Sequence, residues 1–216
     1  LYFLSAVTAI VIEGDLLHNF WRRRMRRRLD ALRGHVIVVG LGETGRRALD
    51  ELLGADVPVV IIELDADRVE VVLERYGEKL PFIIGDAQDE ATLKAARIDR
   101  AGGLISALHD DRENIYQVVT ARQLNTDMRI VSKVERDINV QKFQEVGVDS
   151  LVNTQQIGGR RLANELLQPA LMAFTDTMLA SESHGLSLQS VDIGLDTEFV
   201  DKRLGEASLH DRTGCL

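Results

Sequence analysis

The 216-residue sequence has a single cysteine, Cys215, next to its last residue. One cysteine cannot form an internal disulfide, a cysteine-rich zinc site or a thiol pair, which fits a reducing compartment. The body of the chain also lacks basic character. Residues 1–33 hold seven arginines and three acids, a balance of +4, whereas the other residues hold 19 basic and 31 acidic side chains, a balance of −12. An acidic body argues against nucleic acid as a partner, because phosphate binding needs a basic surface.

The first 33 residues combine an uncharged apolar run with a dense arginine block. Residues 1–12 carry no charge, and Phe20 and Trp21 come directly before Arg22-Arg23-Arg24-Met25-Arg26-Arg27-Arg28. As a helix, the run would rise only about 18 Å, less than the ~30 Å hydrocarbon core of a bilayer. An apolar helix with aromatics at its edge and arginines beyond is typical of a cytoplasmic membrane boundary.

We therefore predict the end of a longer transmembrane helix at residues 1–21 and a basic linker at 22–33, with residues 22–216 cytoplasmic at the cell membrane. A signal peptide does not fit, because its positive charge would precede the apolar run. A soluble amphipathic helix with a solvated arginine face is the main alternative. An arm for nuclear localisation or nucleic-acid binding is a weaker one.

After His35, short apolar runs alternate with segments of helical length. The runs have the β-branched, aliphatic character of strands that are buried on both faces of a sheet, and they lie at 36–39, 57–62, 81–84, 104–107, 129–132 and 150–152. The helical segments between them are 44–53, 66–76, 89–97, 112–124 and 137–146. Six strands separated by single helices predict an α/β, Rossmann-like, doubly wound parallel sheet over residues 34–153.

Two further segments follow this predicted domain. Residues 154–185 are expected to form a helical crossover, broken near Pro169 because proline cannot continue the helical hydrogen bonds. From Leu186 the pattern changes to alternating polar and apolar residues, which predicts a half-exposed strand and the start of an α+β lobe at 186–216, truncated by the chain end.

The segment Gly40-Leu41-Gly42-Glu43-Thr44-Gly45 matches the phosphate-loop pattern G-x-G-x-x-G, with a predicted strand before it and a helix after it. In this pattern Gly40 permits a tight turn, Gly42 lets a pyrophosphate approach the backbone, and Gly45 lets helix and strand pack closely. The free amides of the helix N-terminus then face the anion. The sequence therefore predicts a nucleotide site.

Glu63 is the acid that completes the motif, at the predicted end of the second strand and 18 residues after Gly45. Its carboxylate is expected to accept both ribose hydroxyls and to repel a 2′-phosphate, which favours NAD or another unphosphorylated adenosine over NADP. The alternative is a solvated acid at a strand end, beside Asp65 and Asp67.

Other candidates stand at the carboxyl ends of the predicted strands, where doubly wound sheets hold ligands. They are Leu64, Asp65, Asp86, Ala87, Ala107 and Leu108. Asp86 is expected either to accept the amine of adenine or to cap the helix that starts near Asp89. The run His109-Asp110-Asp111 has residue types that bind metals. Adjacent residues at a helix start point in different directions, which favours capping or a solvated loop.

These segments resemble the RCK or KTN domain, the cytoplasmic regulator of prokaryotic potassium channels and potassium-uptake systems. The resemblance covers about residues 34–180, and its matching segments keep the order of the family at 35–45, 63–68, 85–93, 111–114, 131–135 and 147–152. It implies that Asn114 and Lys133 lie near the nucleotide. It also implies NAD, NADH, ADP or ATP as a regulatory ligand.

Some members of this family bind calcium through acids at the ends of the fourth and fifth strands. Glu135 matches one of these acids, whereas Ala107 and Lys133 stand where further acids would be needed. The resemblance therefore makes calcium a possible ligand, with Glu135 as the metal candidate.

The same resemblance implies a subunit of a ligand-gated potassium channel, in which residues 1–21 end the pore-lining helix. Homodimers would build a tetrameric channel with further RCK domains, and potassium would pass through the pore of the parent protein. An exposed apolar helix needs a partner, so we expect the dimer contact at 155–180, through Leu162, Leu166, Leu167, Leu171, Met172 and Phe174. Packing of these side chains within one subunit is the alternative.

Two other functions compete with this interpretation. One is the soluble regulatory subunit of a potassium-uptake system, which has no membrane helix. The other is an NAD-dependent oxidoreductase, which needs a general acid or base beside the nicotinamide. Of the five histidines only His109 is expected to border the crevice, and no Tyr-x-x-x-Lys pair occurs. We therefore expect no enzyme activity.

Overall fold

The computed structural model of the chain describes residues 25, 28–77 and 79–179. The expected membrane-helix end and the expected lobe at 186–216 lie outside this range, as do part of the basic linker and the last six residues of the expected crossover. Within the described residues, no helix has the length and apolar character needed to cross a membrane. The chain divides into two compact units, Leu1–Gly159 and Arg160–Leu216.

The first unit is built on one sheet of six parallel strands, which confirms the predicted Rossmann-like fold. The strands are β1 (Val36–Val39), β2 (Val59–Glu63), β3 (Phe82–Ile84), β4 (Gly103–Ser106), β5 (Arg129–Lys133) and β6 (Ser150–Val152). Their order is β3-β2-β1-β4-β5-β6. The direction of winding reverses between β1 and β4, and a crevice opens outside the carboxyl ends of the strands at such a point.

Seven helices follow the strands in the described residues. They are α1 (Glu43–Gly54), α2 (Ala66–Tyr76), α3 (Glu90–Ala95), α4 (Asp111–Leu124), α5 (Val140–Glu145), α6 (Thr154–Leu167) and α7 (Pro169–Leu179). Pro169 is the first residue of α7, a position where the missing N–H costs nothing. The predicted break of the helical stretch near Pro169 is therefore confirmed.

Some predicted boundaries differ from the structure. The second strand begins at Val59 instead of residue 57, because Pro58 has no N–H for a sheet hydrogen bond. The helix predicted at 137–146 is a 3₁₀ turn, Asp137–Asn139, followed by the short helix α5. Ala107 lies one residue beyond β4, at the crevice.

The core consists of two apolar clusters on opposite faces of the sheet. Successive strand residues point to opposite faces, and Ile37 and Val39 of β1 belong to one cluster whereas Val38 belongs to the other. Helices α3 and α4 contribute Leu93 and Val118 to the first cluster. The second cluster contains side chains of α1 and α2. Helices therefore cover both faces of the sheet.

The segment before β1 is attached to the amino-terminal edge of the sheet. Leu29 is 5% exposed and belongs to the cluster under α3 and α4, with Met25 and Leu32 packed against it. The Asp30 carboxylate pairs with the guanidinium of Arg97. The Asp30 carbonyl accepts a hydrogen bond from Arg100 Nη1 at 3.2 Å. The described end of the basic linker is therefore part of the domain's packed structure.

The described part of the second unit consists of the end of α6 and helix α7. Arg161 pairs with Glu165 on its own helix and with Asp176 on α7. Five large apolar side chains of this unit are exposed, by 49% to 84%: Leu162, Leu166, Leu167, Leu171 and Phe174. Helices α6 and α7, which are joined by the ion pair of Arg161 with Asp176, thus expose an apolar surface to solvent.

Candidate nucleotide site

The three glycines of the phosphate loop differ in why they are glycines. Gly40 has a φ of +85°, and a β-carbon there would lie 3.0 Å from the carbonyl oxygen of Ala107. At Gly45 a β-carbon would lie 1.8 Å from the carbonyl oxygen of Gly40. At Gly42 it would meet no protein atom within 4 Å. Packing of the chain therefore requires Gly40 and Gly45 but not Gly42.

The loop leads directly into α1. Gly42 is the N-cap residue, with a φ of −64°, and no side chain caps the helix. The first N–H groups of a helix have no partner within the helix, and the N-terminus carries a partial positive charge. The bare backbone at Gly42 and the uncapped first turn, with Glu43 and Thr44, together form an arrangement that suits a phosphate group.

Glu63, at the end of β2, is 7% exposed, and most of its acceptor positions are taken by the backbone. It accepts hydrogen bonds from the N–H groups of Leu41 at 2.5 Å, Leu64 at 2.9 Å and Asp65 at 3.0 Å. From the sequence we expected this carboxylate to be open to ribose hydroxyls. The structure shows that it also joins the phosphate loop to the turn after β2. A carboxylate has about four acceptor positions, so about one is left.

Asp65 and Leu64 complete the turn after β2. Asp65 is the N-cap of α2, where its Oδ1 accepts from the N–H of Asp67 at 3.0 Å. Its Oδ2 lies 3.4 Å from Nε of Arg68, and Nη1 of Arg68 lies 3.9 Å from the Glu63 carboxylate. Leu64 is 69% exposed. This edge of the crevice thus carries two carboxylates and one guanidinium.

The residues after β3 form a tight turn. Asp86 Oδ1 accepts from the N–H of Gln88 at 2.8 Å, so the side chain stabilises the turn, and Asp89 is the N-cap of α3. The second carboxylate oxygen of Asp86 accepts no hydrogen bond among the described residues. Ala87 is buried and belongs to the core cluster under α3 and α4.

Asn114 holds the loop after β4 from beneath. It is fully buried, and its Oδ1 accepts from Ser106 Oγ at 2.7 Å and from the N–H of Leu108 at 3.0 Å. Its Nδ2 donates to the carbonyl of Leu108 at 3.1 Å. Asn114 therefore supports Leu108, in the loop that follows β4, and its predicted place near a nucleotide stays a prediction.

Lys133 and Glu135 form an ion pair at the end of β5. Lys133 Nζ donates to Glu135 Oε1 at 2.8 Å, and Nδ1 of His109 lies 4.0 Å from the same oxygen. Residues 25, 28–77 and 79–179 contain no group of three or more His, Cys, Asp or Glu side chains arranged to hold a metal ion. The carboxylate proposed from the resemblance as a metal candidate is thus paired with an internal ammonium group.

A pocket of about 350 Å³ lies next to this ion pair, lined by Asp110, Asp111, Arg112, Glu135, Arg136, Asn139 and Lys142. Asp110 caps α4 and binds Arg112, whose guanidinium lowers the pKa of Asp110 to about 2. Asp111 is buried, and its carboxylate accepts from the N–H groups of Glu135 and Arg136 and from Nδ2 of Asn139. The sequence favoured capping or a solvated loop for the run His109-Asp110-Asp111, but it did not predict a pocket there. The partners of Asp111 are 24 to 28 residues away, and no local pattern in the sequence indicates them.

Comparison with known proteins identifies relatives of the chain. It is 28% identical over 218 residues to "Probable potassium channel protein 2" of Methanocaldococcus jannaschii, which covers 99% of this chain and 64% of that protein. "Potassium channel protein 1" of the same organism is 30% identical over 213 residues, with 99% and 63% covered. The chain therefore spans slightly less than two thirds of the length of these relatives.

Solved structures share the fold. The TrkA-N domain of the inner membrane protein ybaL from Escherichia coli has a TM-score of 0.58 and is 28% identical, covering 64% of this chain and 99% of that one. The GsuK channel bound to NAD has a TM-score of 0.56 and is 23% identical, covering 62% and 24%. The TrkA-N domain family matches residues 36–154, which is more than half of the chain. The chain thus belongs to the TrkA-N domain family.

Proposed function

We propose that this chain is the nucleotide-sensing domain of a potassium channel, and that it binds NAD, NADH or another adenine nucleotide in the crevice between β1 and β4. The observation that carries the proposal is Gly42. A β-carbon at this position would meet no protein atom within 4 Å, whereas a pyrophosphate that lies against the backbone requires glycine there. The potassium channel relatives supply the biological context.

In this proposal the pyrophosphate lies against Gly42 and the first turn of α1, and the adenosine lies over β2 and β3. Glu63 retains about one acceptor position for a ribose hydroxyl. Its negative charge disfavours a 2′-phosphate, which favours NAD over NADP. The second oxygen of Asp86 is open to the adenine amine, since only Oδ1 is used by the turn. The likeness of the fold to the GsuK channel bound to NAD supports this arrangement.

The output of the sensor would be a change in the relative orientation of paired domains. A ligand shifts such an equilibrium only by the difference between its affinities for the two states. We infer that the exposed apolar side chains of α6 and α7 form the dimer contact, since an apolar surface of this kind needs a partner. Dimers would assemble into a tetramer with further RCK domains. The linker at 22–33 would connect each of these domains to the pore-lining helix, whose last part is residues 1–21.

The proposal assigns no catalysis to the chain. Hydride transfer needs a positioned general acid or base beside the nicotinamide. At the carboxyl ends of β2 and β5 the titratable groups Glu63 and Lys133 already have partners: Glu63 accepts from backbone amides, and Lys133 donates to Glu135. His109 has a 95% exposed side chain, so no packing holds its ring in a fixed position. The nucleotide therefore acts as a signal.

The test is ligand-dependent thermal stabilisation of the 216-residue chain in mild detergent, with NAD, NADH, ADP, ATP and calcium compared. A ligand at 100 times its dissociation constant stabilises the native state by about 2.7 kcal/mol. We expect at least one of the nucleotides to raise the melting temperature of the wild type and to leave that of Gly42→Asp unchanged.

Gly54→Asp is the matched control, because a β-carbon at Gly54 would also meet nothing within 4 Å, yet this residue lies at the far end of α1. It should keep the full nucleotide effect. A wild type that no nucleotide stabilises would refute the proposal. So would a Gly42→Asp variant that responds like Gly54→Asp, because the loop would then have only a structural role.

A further inference from the structure

Two basic side chains in the pocket beyond β5 have no partner among the described residues. Arg136 and Lys142 are both exposed, and neither side chain makes a hydrogen bond or ion pair with another described residue. The other cations nearby differ in this respect. Arg112 is bound to Asp110, and Lys133 is bound to Glu135. The two unpaired cations thus line the same pocket.

The wall of the pocket is held in a fixed geometry by Asp111. This carboxylate is 6% exposed. It accepts from the N–H of Glu135 at 2.8 Å, from the N–H of Arg136 at 3.1 Å and from Nδ2 of Asn139 at 2.8 Å. The loop after β5 is therefore fixed to the start of α4 on the inner side of the pocket, while the side chains of Arg136 and Lys142 remain available on the outer side.

The lining of the pocket carries three acidic and three basic side chains, but each of the three carboxylates already has a partner within the chain. The pairs Asp110 with Arg112 and Glu135 with Lys133 are each neutral. Asp111 contributes one negative charge, whose oxygens are used by three N–H donors. Arg136 and Lys142 contribute two positive charges with donors free. A guanidinium and an ammonium group that line one pocket suit a phosphate or a carboxylate.

We propose that this pocket binds a small anionic group, a phosphate or a carboxylate, through Arg136 and Lys142. The volume of about 350 Å³ is within the range of small-molecule sites. The pocket adjoins the nucleotide crevice through the contact between His109 and Glu135, which are 4.0 Å apart. The anion is either the distal phosphate of a nucleotide in the crevice or a separate small effector. This proposal stands without the proposed function, because Arg136 and Lys142 are not among the residues assigned to the nucleotide.

The probe is inorganic phosphate, added to the 15N-labelled 216-residue chain at constant ionic strength. The reporters are the side-chain amide of Asn139 and the backbone amides of Glu135 and Arg136, all of which bond to Asp111. We expect saturable shifts of these signals. In the double variant Arg136→Gln and Lys142→Gln the midpoint concentration should rise at least tenfold, because two charged hydrogen-bond donors are lost. Both side chains are exposed, so the variant should keep the fold, which its thermal unfolding checks.

The matched control removes two exposed arginines outside the pocket, Arg47→Gln and Arg129→Gln, and should leave the midpoint within twofold of the wild type. The absence of saturable shifts in the wild type overturns the proposal. Equal weakening in both double variants also overturns it, since the effect would then be general charge screening.

Repeating the titration with NAD, ADP or ATP present distinguishes the two sources of the anion. If phosphate still binds, the pocket is a separate effector site. If the nucleotide displaces phosphate and shifts the same reporters, the pocket holds the phosphate of the nucleotide. Gly42→Asp, which is expected to remove nucleotide binding at the loop, should leave the phosphate midpoint of the pocket unchanged. Phosphate binding without any nucleotide binding would therefore refute only the proposed function.

Discussion

Alanine substitutions in the phosphate loop should separate the needs of the fold from those of the ligand. At Gly45 a β-carbon would lie 1.8 Å from the carbonyl oxygen of Gly40, which is a backbone atom and cannot rotate away. At Gly42 a β-carbon would meet nothing within 4 Å, and the φ of −64° is ordinary for alanine. We therefore expect Gly45→Ala to damage the fold and Gly42→Ala to damage only ligand binding.

The magnitudes follow from the geometry. Inserting a methyl group into a packed site typically costs about 1–3 kcal/mol, and the helical preference for alanine returns about 1 kcal/mol. Because the overlap at Gly45 is with backbone, we expect the cost to exceed that typical range and reach about 4 kcal/mol or more, which leaves a net loss of about 3 kcal/mol or more. For a chain of this size that corresponds to a melting temperature lower by about 6–12 °C. At Gly42 a weaker N-cap costs about 1 kcal/mol, and the lower entropy of the unfolded chain returns about 0.4–1 kcal/mol.

The assay is thermal unfolding of the wild type and both variants, with and without a nucleotide that stabilises the wild type. Gly42→Ala should unfold within about 2 °C of the wild type without ligand. It should lose the increase that the ligand causes, because its methyl group occupies the surface that the pyrophosphate needs. The reasoning is refuted if Gly42→Ala keeps the full ligand effect, or if Gly45→Ala is as stable as the wild type.

Three further predictions concern buried polar groups. Asn114→Ala removes three hydrogen bonds and should lower the free energy of unfolding in urea by about 3 kcal/mol, because both backbone polar groups of Leu108 lose their partner. Gln117 is fully buried and its amide has no partner among the described residues. Gln117→Met should therefore raise the free energy of unfolding in urea by about 1–3 kcal/mol, and a lower free energy of unfolding would contradict this. Burial lowers the pKa of His35 below its ordinary value of 6.5, so only the unfolded chain gains a proton there as the pH falls. Stability should therefore decrease below about pH 6.5, and His35→Gln should reduce that dependence in a pH series of urea unfolding.

The sheet and the phosphate loop could be predicted because each rests on a local pattern. The run Val36–Val39 indicates a buried strand by its own composition, and the phosphate loop begins at the next residue, Gly40. The sequence could not show how Gly42 differs from Gly45, since both are glycines of one motif. That difference depends on the carbonyl of Gly40, which the turn brings above Gly45.

The partners of the acidic residues could not be predicted for a similar reason. Glu63 bonds to Leu41, 22 residues away, because parallel pairing places the ends of β1 and β2 side by side. The expectation that Glu63 accepts two ribose hydroxyls considered only the residue type and its position in the motif. Asp111 was predicted as a capping or solvated residue, yet α4 presents it to the loop after β5, where it is buried. Such contacts require the fold to be known.

The attachment of the linker has a mechanical consequence. Gly34 donates to the carbonyl of Arg100 at 2.8 Å, and Leu29 and Asp30 are held at the same edge of the sheet. The strands β1 and β4 run from this edge to the crevice, and four residues of strand span only about 13 Å. The sheet thus connects the phosphate loop, at the carboxyl ends of its strands, with residue 28, near their amino ends, over this short distance. A tilt of the phosphate loop is therefore expected to move residue 28 with it, because the sheet between them is continuous.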